Sequence, residues 1–271
     1  MNNENIKNPQ TDNIRNLPIG FLDSGLGGLS VLRESIRILP HEDFIYYGDS
    51  KNAPYGTKST EEIKELTFAV IDKLMSHGIK ALVVACNTAT GACIDEVRAK
   101  YPDMPVIGIE PAIKPAVICN NGGKIIVMAT PATIRQSKFK DLVDYYSDEA
   151  DITAIGCEGL MDIVEQGIFD QTVIDDYLDK NLVPVLTNST ESIVLGCTHY
   201  PFSGSNIRKY LGNRDIKLID GSKGTSSQLK RRLLEKDLFT DRLSGGKIEI
   251  FNSSEDPEMI ERSWKLLNMP L

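Results

Sequence analysis

An α/β protein built on mainly parallel sheets is what this sequence predicts, and three observations carry the prediction. Short apolar, β-branched runs alternate with helical stretches along most of the chain. The runs are continuously apolar, as in Ala81-Leu-Val-Val-Ala85, where a strand with one wet face would alternate; strands covered by helices on both faces read this way. Two short patterns also repeat. Strand-Cys-Thr appears as Leu82-Val-Val-Ala-Cys86-Asn87-Thr88 and as Ile193-Val-Leu-Gly-Cys197-Thr198-His199, and strand-Asp-small as Phe21-Leu22-Asp23-Ser24-Gly25 and Leu218-Ile219-Asp220-Gly221-Ser222. Two similar α/β domains facing one another would produce that echo.

In chain order, Ile19–Asp23 is the first expected strand, and the glycine loop Gly25-Leu-Gly-Gly28 leads to a helix over Leu29–Leu39. Phe44–Gly48 is the second strand. Ser59–His77 opens with Ser-Thr-Glu-Glu, an N-cap with acids in the first turn, and predicts a helix. The apolar strand Ala81–Cys86 then runs into a helix over Thr88–Tyr101, and Val106–Ile109 is the next strand. Strand Lys124–Thr130 precedes a helix over Thr133–Tyr146, and strand Ile152–Gly156 precedes helices over Gly159–Gly167 and Thr172–Leu186. Strand Ser192–Cys197, helix Ser203–Leu211, strand Lys217–Asp220, helix Gly224–Lys236, strand Lys247–Phe251 and helix Glu258–Leu267 complete the series.

The bulk numbers narrow the function classes. The chain has 271 residues, enough for two compact domains, with 41% hydrophobic residues for a core. A net charge of −8 repels phosphate backbones, so nucleic acid is not an expected partner. No apolar run approaches the roughly 18 residues of a membrane span, so no membrane partner is expected. Met1–Leu17 is polar and Asn-rich and lacks a basic-then-apolar signal pattern; it reads as a flexible tail outside the fold, and the protein as cytoplasmic. Five cysteines are an odd number without a C-x-x-C pair or zinc-like spacing, so free thiols are expected, and no metal.

Ligands of open parallel sheets sit at the carboxyl ends of the strands, so chemistry is sought there. Cys86 ends a strand before Asn87-Thr88, polar residues suited to capping a helix whose first amides would stabilise a thiolate. Cys197 has the same setting, with His199 two residues on to tune the thiolate or move a proton. Asp23-Ser-Gly-Leu-Gly-Gly28 resembles a phosphate cradle, yet Asp23 puts a carboxylate into the loop, which suits an ammonium better than a phosphate. Tyr55 lies in a loop that can line a pocket. Glu158 and Glu165 are seven apart and fall on one helix face, and the pattern does not choose between them. His41, His77, Cys93, Cys119 and Cys157 read as structural.

Six motifs in this order resemble those of glutamate racemases, of the aspartate/glutamate racemase superfamily. They are Asp-Ser-Gly-Leu-Gly-Gly (23–28), Tyr-Gly-Asp (47–49), Pro-Tyr-Gly (54–56), Ala-Cys-Asn-Thr-Ala (85–89), Gly-Ile-Glu-Pro-Ala (108–112) and Gly-Cys-Thr-His-Tyr-Pro (196–201), and the resemblance covers about Pro18 to Lys236. It implies that Cys86 and Cys197 are the two proton-transfer thiols, assisted by Asp23, Glu165 and His199. By the same likeness Asp23, Ser24, Tyr55, Gly56, Asn87, Thr88, Thr130, Thr133, Thr198 and His199 hold the substrate. It implies racemisation of L- and D-glutamate without a cofactor or metal, a supply of D-glutamate to peptidoglycan, and a homodimer. It also implies two α/β domains, one from 18–110 plus 221–271 and one from 111–220, with the site in the cleft between them. Ala132 stands where many members carry Gly, and Glu158 where Pro is common.

Three rivals remain at this stage. Aspartate racemases tend to carry an acid where His199 stands. A dinucleotide-binding module would use the glycine loop and be indifferent to the thiols, and Asp23 counts against it. A thiol redox protein would join Cys86 to Cys197, and the missing C-x-x-C counts against that.

Overall fold

The computed structural model describes residues 14–270. Nine strands form two sheets among these residues, and every strand pair is parallel. The first sheet has the order β4-β3-β1-β2-β9, from β1 (Ile19–Asp23), β2 (Phe44–Gly48), β3 (Ala81–Val84), β4 (Val106–Gly108) and β9 (Ile248–Asn252). The second has the order β6-β5-β7-β8, from β5 (Lys124–Ala129), β6 (Asp151–Gly156), β7 (Thr190–Leu195) and β8 (Lys217–Asp220). Every residue of β1, β2 and β3 is buried, which is why these strands read as unbroken apolar runs.

Helices cover both faces of each sheet. On the first sheet, α1 (Leu29–Ile38), α10 (Ser222–Glu235) and α11 (Glu258–Leu267) share one core with Phe21, Tyr46 and Val83. On its other face α2 (Thr60–Ser76) and α3 (Asn87–Lys100) pack on Leu22, Leu82 and Val84. The second sheet carries α8 (Gln171–Asn181) and α9 (Gly204–Leu211) over Ile126, Met128 and Ile193. Its opposite face carries α4 (Ile113–Ile118) and α6 (Ser137–Tyr145) over Ile125, Val127 and Val194. Two short helices, α5 (Pro131–Arg135) and α7 (Leu160–Glu165), follow β5 and β6.

The chain passes between the sheets twice, after β4 and after β8. Glu110, Pro111, Asp220 and Gly221 of these two crossings line one surface cleft. Beyond the second crossing, α10 and α11 pack back on α1 of the first sheet.

Several boundaries differ from the sequence reading, each for a local reason. The expected helix over Thr133–Tyr146 is broken at Gln136, whose backbone is extended and whose side-chain amide donates to the Thr88 carbonyl at 2.9 Å. Helix α8 stops at Asn181, and Pro184 confines the rest of the expected helix to a short 3₁₀ turn over Val183–Val185. Strands β3 and β7 end two residues before the cysteines, so neither thiol lies in a ladder. Helix α4 was not expected at all. Of the tail expected over Met1–Leu17, residues 1–13 lie outside the described residues. Ile14–Leu17, by contrast, form a turn that is docked on the fold. The Arg15 carbonyl accepts from Lys80, a buried ammonium paired with Glu42 that needs a further acceptor, and Arg15 itself pairs with Asp237. Among the described residues no helix is long and apolar enough to cross a membrane.

Candidate active site

Four strands, two from each sheet, deliver their C-terminal ends to one place. Asp23 ends β1, Cys86 follows β3, Thr130 follows β5 and Cys197 follows β7. Parallel pairing within each sheet puts its two ends on one edge, the position expected of an α/β site. Asp23, Ser24, Cys86, Asn87, Thr88, Thr130, Thr133, Cys197, Thr198 and His199 are all buried.

Around Cys86 the partners are few and neutral. Cys86 itself is the N-cap of α3, a role the sequence reading gave to Asn87-Thr88. The Ala89 amide donates to its sulfur at 3.5 Å, and the sulfur donates to Ser24 Oγ at 3.5 Å. Burial, and after it the nearby Asp23 carboxylate, push this thiol up to about 12. Asp23 makes no direct hydrogen bond to Cys86. Its oxygens accept from the Gly25 amide at 2.9 Å and from Thr198 Oγ1 at 3.0 Å, so one carboxylate ties the first sheet to the loop after β7. Burial raises the Asp23 pKa, against the pull of His199.

Around Cys197 the partners are ionisable. The sulfur lies 3.6 Å from His199 Nδ1, and His199 Nε2 lies 2.5 Å from Glu165 Oε1. Burial disfavours the imidazolium, but the bonds to Cys197 and Glu165 outweigh it and hold His199 well above its ordinary value. Burial likewise opposes the Glu165 carboxylate, and His199 together with the Leu26 amide and Ser50 overcomes it, holding Glu165 below its ordinary value. The pair is thus imidazolium and carboxylate near neutral pH, with Nδ1–H aimed at the Cys197 sulfur. Nε2 also accepts from the Gly27 amide at 3.1 Å when the ring is neutral there. A single nitrogen serves only one of these partners at a time, so protonation decides whether it holds Gly27 or Glu165.

The glycine loop fits closely against this pair. A Cβ at Gly25 would run into the Glu165 carboxylate, and one at Gly27 into the His199 ring and the Thr198 hydroxyl. The glycines therefore serve close approach to side chains of the other half of the molecule. No phosphate cradle is needed to explain them.

A third cluster lies where α3 meets α5. The hydroxyls of Thr88, Thr130 and Thr133 are mutually within 2.9–3.1 Å. Gly56 abuts Thr130, and buried Tyr55 donates to Asp49 at 2.7 Å. Asn87 Oδ1 is buried here with no partner. These groups can reorient at little cost to meet a carboxylate or an ammonium.

All ten of the buried residues above, with Tyr55, Gly56 and Glu165, were named from the sequence, and all fall in this one region. Of the two glutamates, Glu165 ends α7 against His199, whereas Glu158 precedes that helix and is exposed. His41 and His77 are exposed and remote from it, and all five cysteines are free. Sequence reasoning missed Ser30, Tyr46, Ser50 and Gln136. Ser30 Oγ donates to the Gly27 and Thr198 carbonyls at 2.9 and 3.0 Å, and Tyr46 to the Gly25 carbonyl at 2.7 Å. Nothing local in the sequence marks them, because their partners lie on other elements.

Comparison with known proteins finds relatives over nearly the whole chain. Residues 23–228 match the model of the Asp/Glu/Hydantoin racemase family. The chain is 53% identical over 256 residues to a glutamate racemase of Clostridium botulinum, covering 94% of this chain and 99% of that one. Among solved structures, a glutamate racemase isoform from Bacillus anthracis superposes with a TM-score of 0.84 at 32% identity, covering 95% and 96% of the two chains. The glutamate racemase of Francisella tularensis in complex with D-glutamate superposes with a TM-score of 0.81 at 29% identity and the same coverage. With a family model matching most of its length and a relative of more than half identity end to end, this chain belongs to the Asp/Glu/Hydantoin racemase family and is an amino-acid racemase.

Proposed function

We propose that this chain interconverts L- and D-glutamate by moving the α-proton between Cys86 and Cys197 without a cofactor. The observation that carries the reading is the nearness of two buried thiols, one following a strand of each sheet, each close enough to feel the other's charge, with Asp23 beside Cys86 bonded to Thr198 beside Cys197. Glutamate as substrate is supported by the relatives, one of which holds D-glutamate.

The step balances with one thiolate and one thiol. The thiolate takes the α-proton from one face and becomes a thiol; the carbanion's electron pair takes the proton of the other thiol from the opposite face, which becomes the thiolate. The reverse reaction exchanges the roles. Cys86, held protonated by burial and Asp23, rests as the donor. Cys197, facing His199 Nδ1, takes the part of the base. Glu165 favours the charged form of that ring.

Ser24, Asn87 and Asp23 are placed to take the α-ammonium, with Asn87 Oδ1 supplying an unused acceptor. Thr88, Thr130, Thr133 and Thr198, with the backbone near Tyr55 and Gly56, take the carboxylates, where hydroxyls and amides stabilise the charge that grows as the proton leaves. Residues 18–110 with 221–271, and 111–220, are the two domains, and their opening admits the substrate to a site that is otherwise buried. The enzyme works in the cytoplasm, supplies D-glutamate for peptidoglycan, and acts as a homodimer.

The test is incubation of pyridoxal-free protein with L-glutamate in D2O, followed by circular dichroism and α-deuteration, beside Cys86→Ser and Cys197→Ser. The expected outcome is loss of optical activity with deuterium at Cα, abolished or crippled in each variant. Turnover of aspartate alone would change the substrate and keep the mechanism. Inertness toward both in a folded protein would defeat the reading.

A further inference from the structure

The C-terminal unit from β9 through α11 lies beyond the residues matched by the family model, which end at 228, and its function is not accounted for by the motifs. Two of its side chains nevertheless reach Glu165. Arg262 of α11 donates to the Glu165 main-chain carbonyl at 2.8 Å. That carbonyl is one of four at the end of α7 that the helix cannot satisfy itself. Asp162, Ile163 and Val164 are served by the amides of Gln166, Ile168 and Gly167, and Glu165 is left to Arg262. A guanidinium also suits the negative end of a helix.

Asn252, the last residue of β9, acts on the other end of the same residue. Its Nδ2 donates to Ser50 Oγ at 2.9 Å, and Ser50 Oγ donates to Glu165 Oε2 at 3.4 Å. Asn252 Oδ1 is occupied by the Ser254 amide, which fixes the direction of the first bond. Helix α11 is itself anchored, with Met259, Leu266 and Leu267 in the core beneath α1. Glu165 is thus held from the first-sheet side at its backbone and at its carboxylate.

We propose that Arg262 and Asn252 are positioning residues that hold Glu165 against His199 and thereby keep the His199 ring on the Cys197 sulfur, leaving Cys86 untouched. The proposal deepens the two-thiol reading and rests on it for the role of Cys197 in turnover.

The experiment uses the full chain with Arg262→Ala, Arg262→Lys and Asn252→Asp. Two quantities are measured: kcat and KM for glutamate in both directions, and the pH dependence of iodoacetamide alkylation at Cys86 and at Cys197 by peptide mass spectrometry. Arg262→Ala is expected to lower kcat about tenfold, the worth of roughly one hydrogen bond, with KM within about twofold. It should also shift the alkylation profile of Cys197 and not that of Cys86. Lysine, which still donates to a carbonyl, should restore most of both. In Asn252→Asp the Ser50 hydroxyl turns to the new carboxylate and leaves Glu165, so the Cys197 profile shifts again. A lowered melting temperature with a wild-type Cys197 profile in Arg262→Ala overturns the proposal, as does an equal shift at Cys86. If Arg262→Ala does not fold, an unchanged Cys197 profile in folded Asn252→Asp overturns it alone. A wild-type protein without glutamate turnover defeats the proposed function instead, and the Cys197 profile still decides the positioning.

Discussion

Cys86 and Cys197 follow equivalent strands, β3 and β7, one in each sheet, and both are buried. Their surroundings differ in kind. Cys86 meets a backbone amide and a serine hydroxyl, which favour the thiolate, but burial and a carboxylate at longer range outweigh them and leave the proton on sulfur. Cys197 faces an imidazole whose other ring nitrogen meets the part-buried Glu165, and the two bonds together favour the imidazolium. Sequence symmetry between the halves therefore does not carry over into electrostatic symmetry. A two-base reaction needs one base and one acid at the start, and an unequal pair supplies them without prior proton exchange with solvent. Asp23 is fully buried and Glu165 largely so, yet burial wins at Asp23 and hydrogen bonding to His199 wins at Glu165.

The comparison breaks most completely if either thiol proves dispensable. Cys86→Ser and Cys197→Ser are each expected to lower kcat by ~10²–10⁴-fold in both directions, measured by circular dichroism with each enantiomer. His199→Asn should cost less, about 10²-fold, and should slow alkylation of Cys197 at neutral pH while sparing Cys86. Equal slowing at both thiols would mean that the two halves are electrostatically coupled after all.

Asp23→Asn tests the other half. Removing the charge is expected to bring the Cys86 pKa down from about 12, but only part of the way, because burial is the larger cause. The difference in thiolate absorbance between Asp23→Asn and its Cys86→Ser derivative reads this directly. No movement would make burial the whole cause.

The smallest effect is on stability. Glu165 titrates below its ordinary 4.5 in the folded protein, so its contribution is present above that pH and is lost as pH falls through the folded value. His199 titrates above its ordinary 6.5, so its contribution is complete below that pH and is lost as pH rises through the folded value. Both are complete only between 4.5 and 6.5. The melting-temperature gap between wild type and His199→Asn should be widest in that window and narrow on either side.

Much of this site was legible because its residues follow strands directly. A strand that stops at Asp23 or before Cys86 is a local event, written in the apolar run and the polar residues after it. The alternation that marks α/β architecture is local in the same sense. The break at Gln136 was not legible, since an extended backbone there answers to the Thr88 carbonyl on another helix. Nor did the pattern by itself choose Glu165 over Glu158, a choice that came from the resemblance alone: both fit one helical face, and the start of α7 at Leu160 leaves Glu158 outside.

By itself the sequence determined the elements, the apolar strands and the chemical types placed at their ends, because backbone preference and hydrophobic periodicity act over a few residues. Only the tertiary structure decided which carboxylate each thiol would have. Glu165 meets His199 and the Leu26 amide, and Asp23 meets Thr198, across separations of 34, 139 and 175 residues. Contacts at such range follow from how two sheets and their helices pack against each other, and no local rule encodes them.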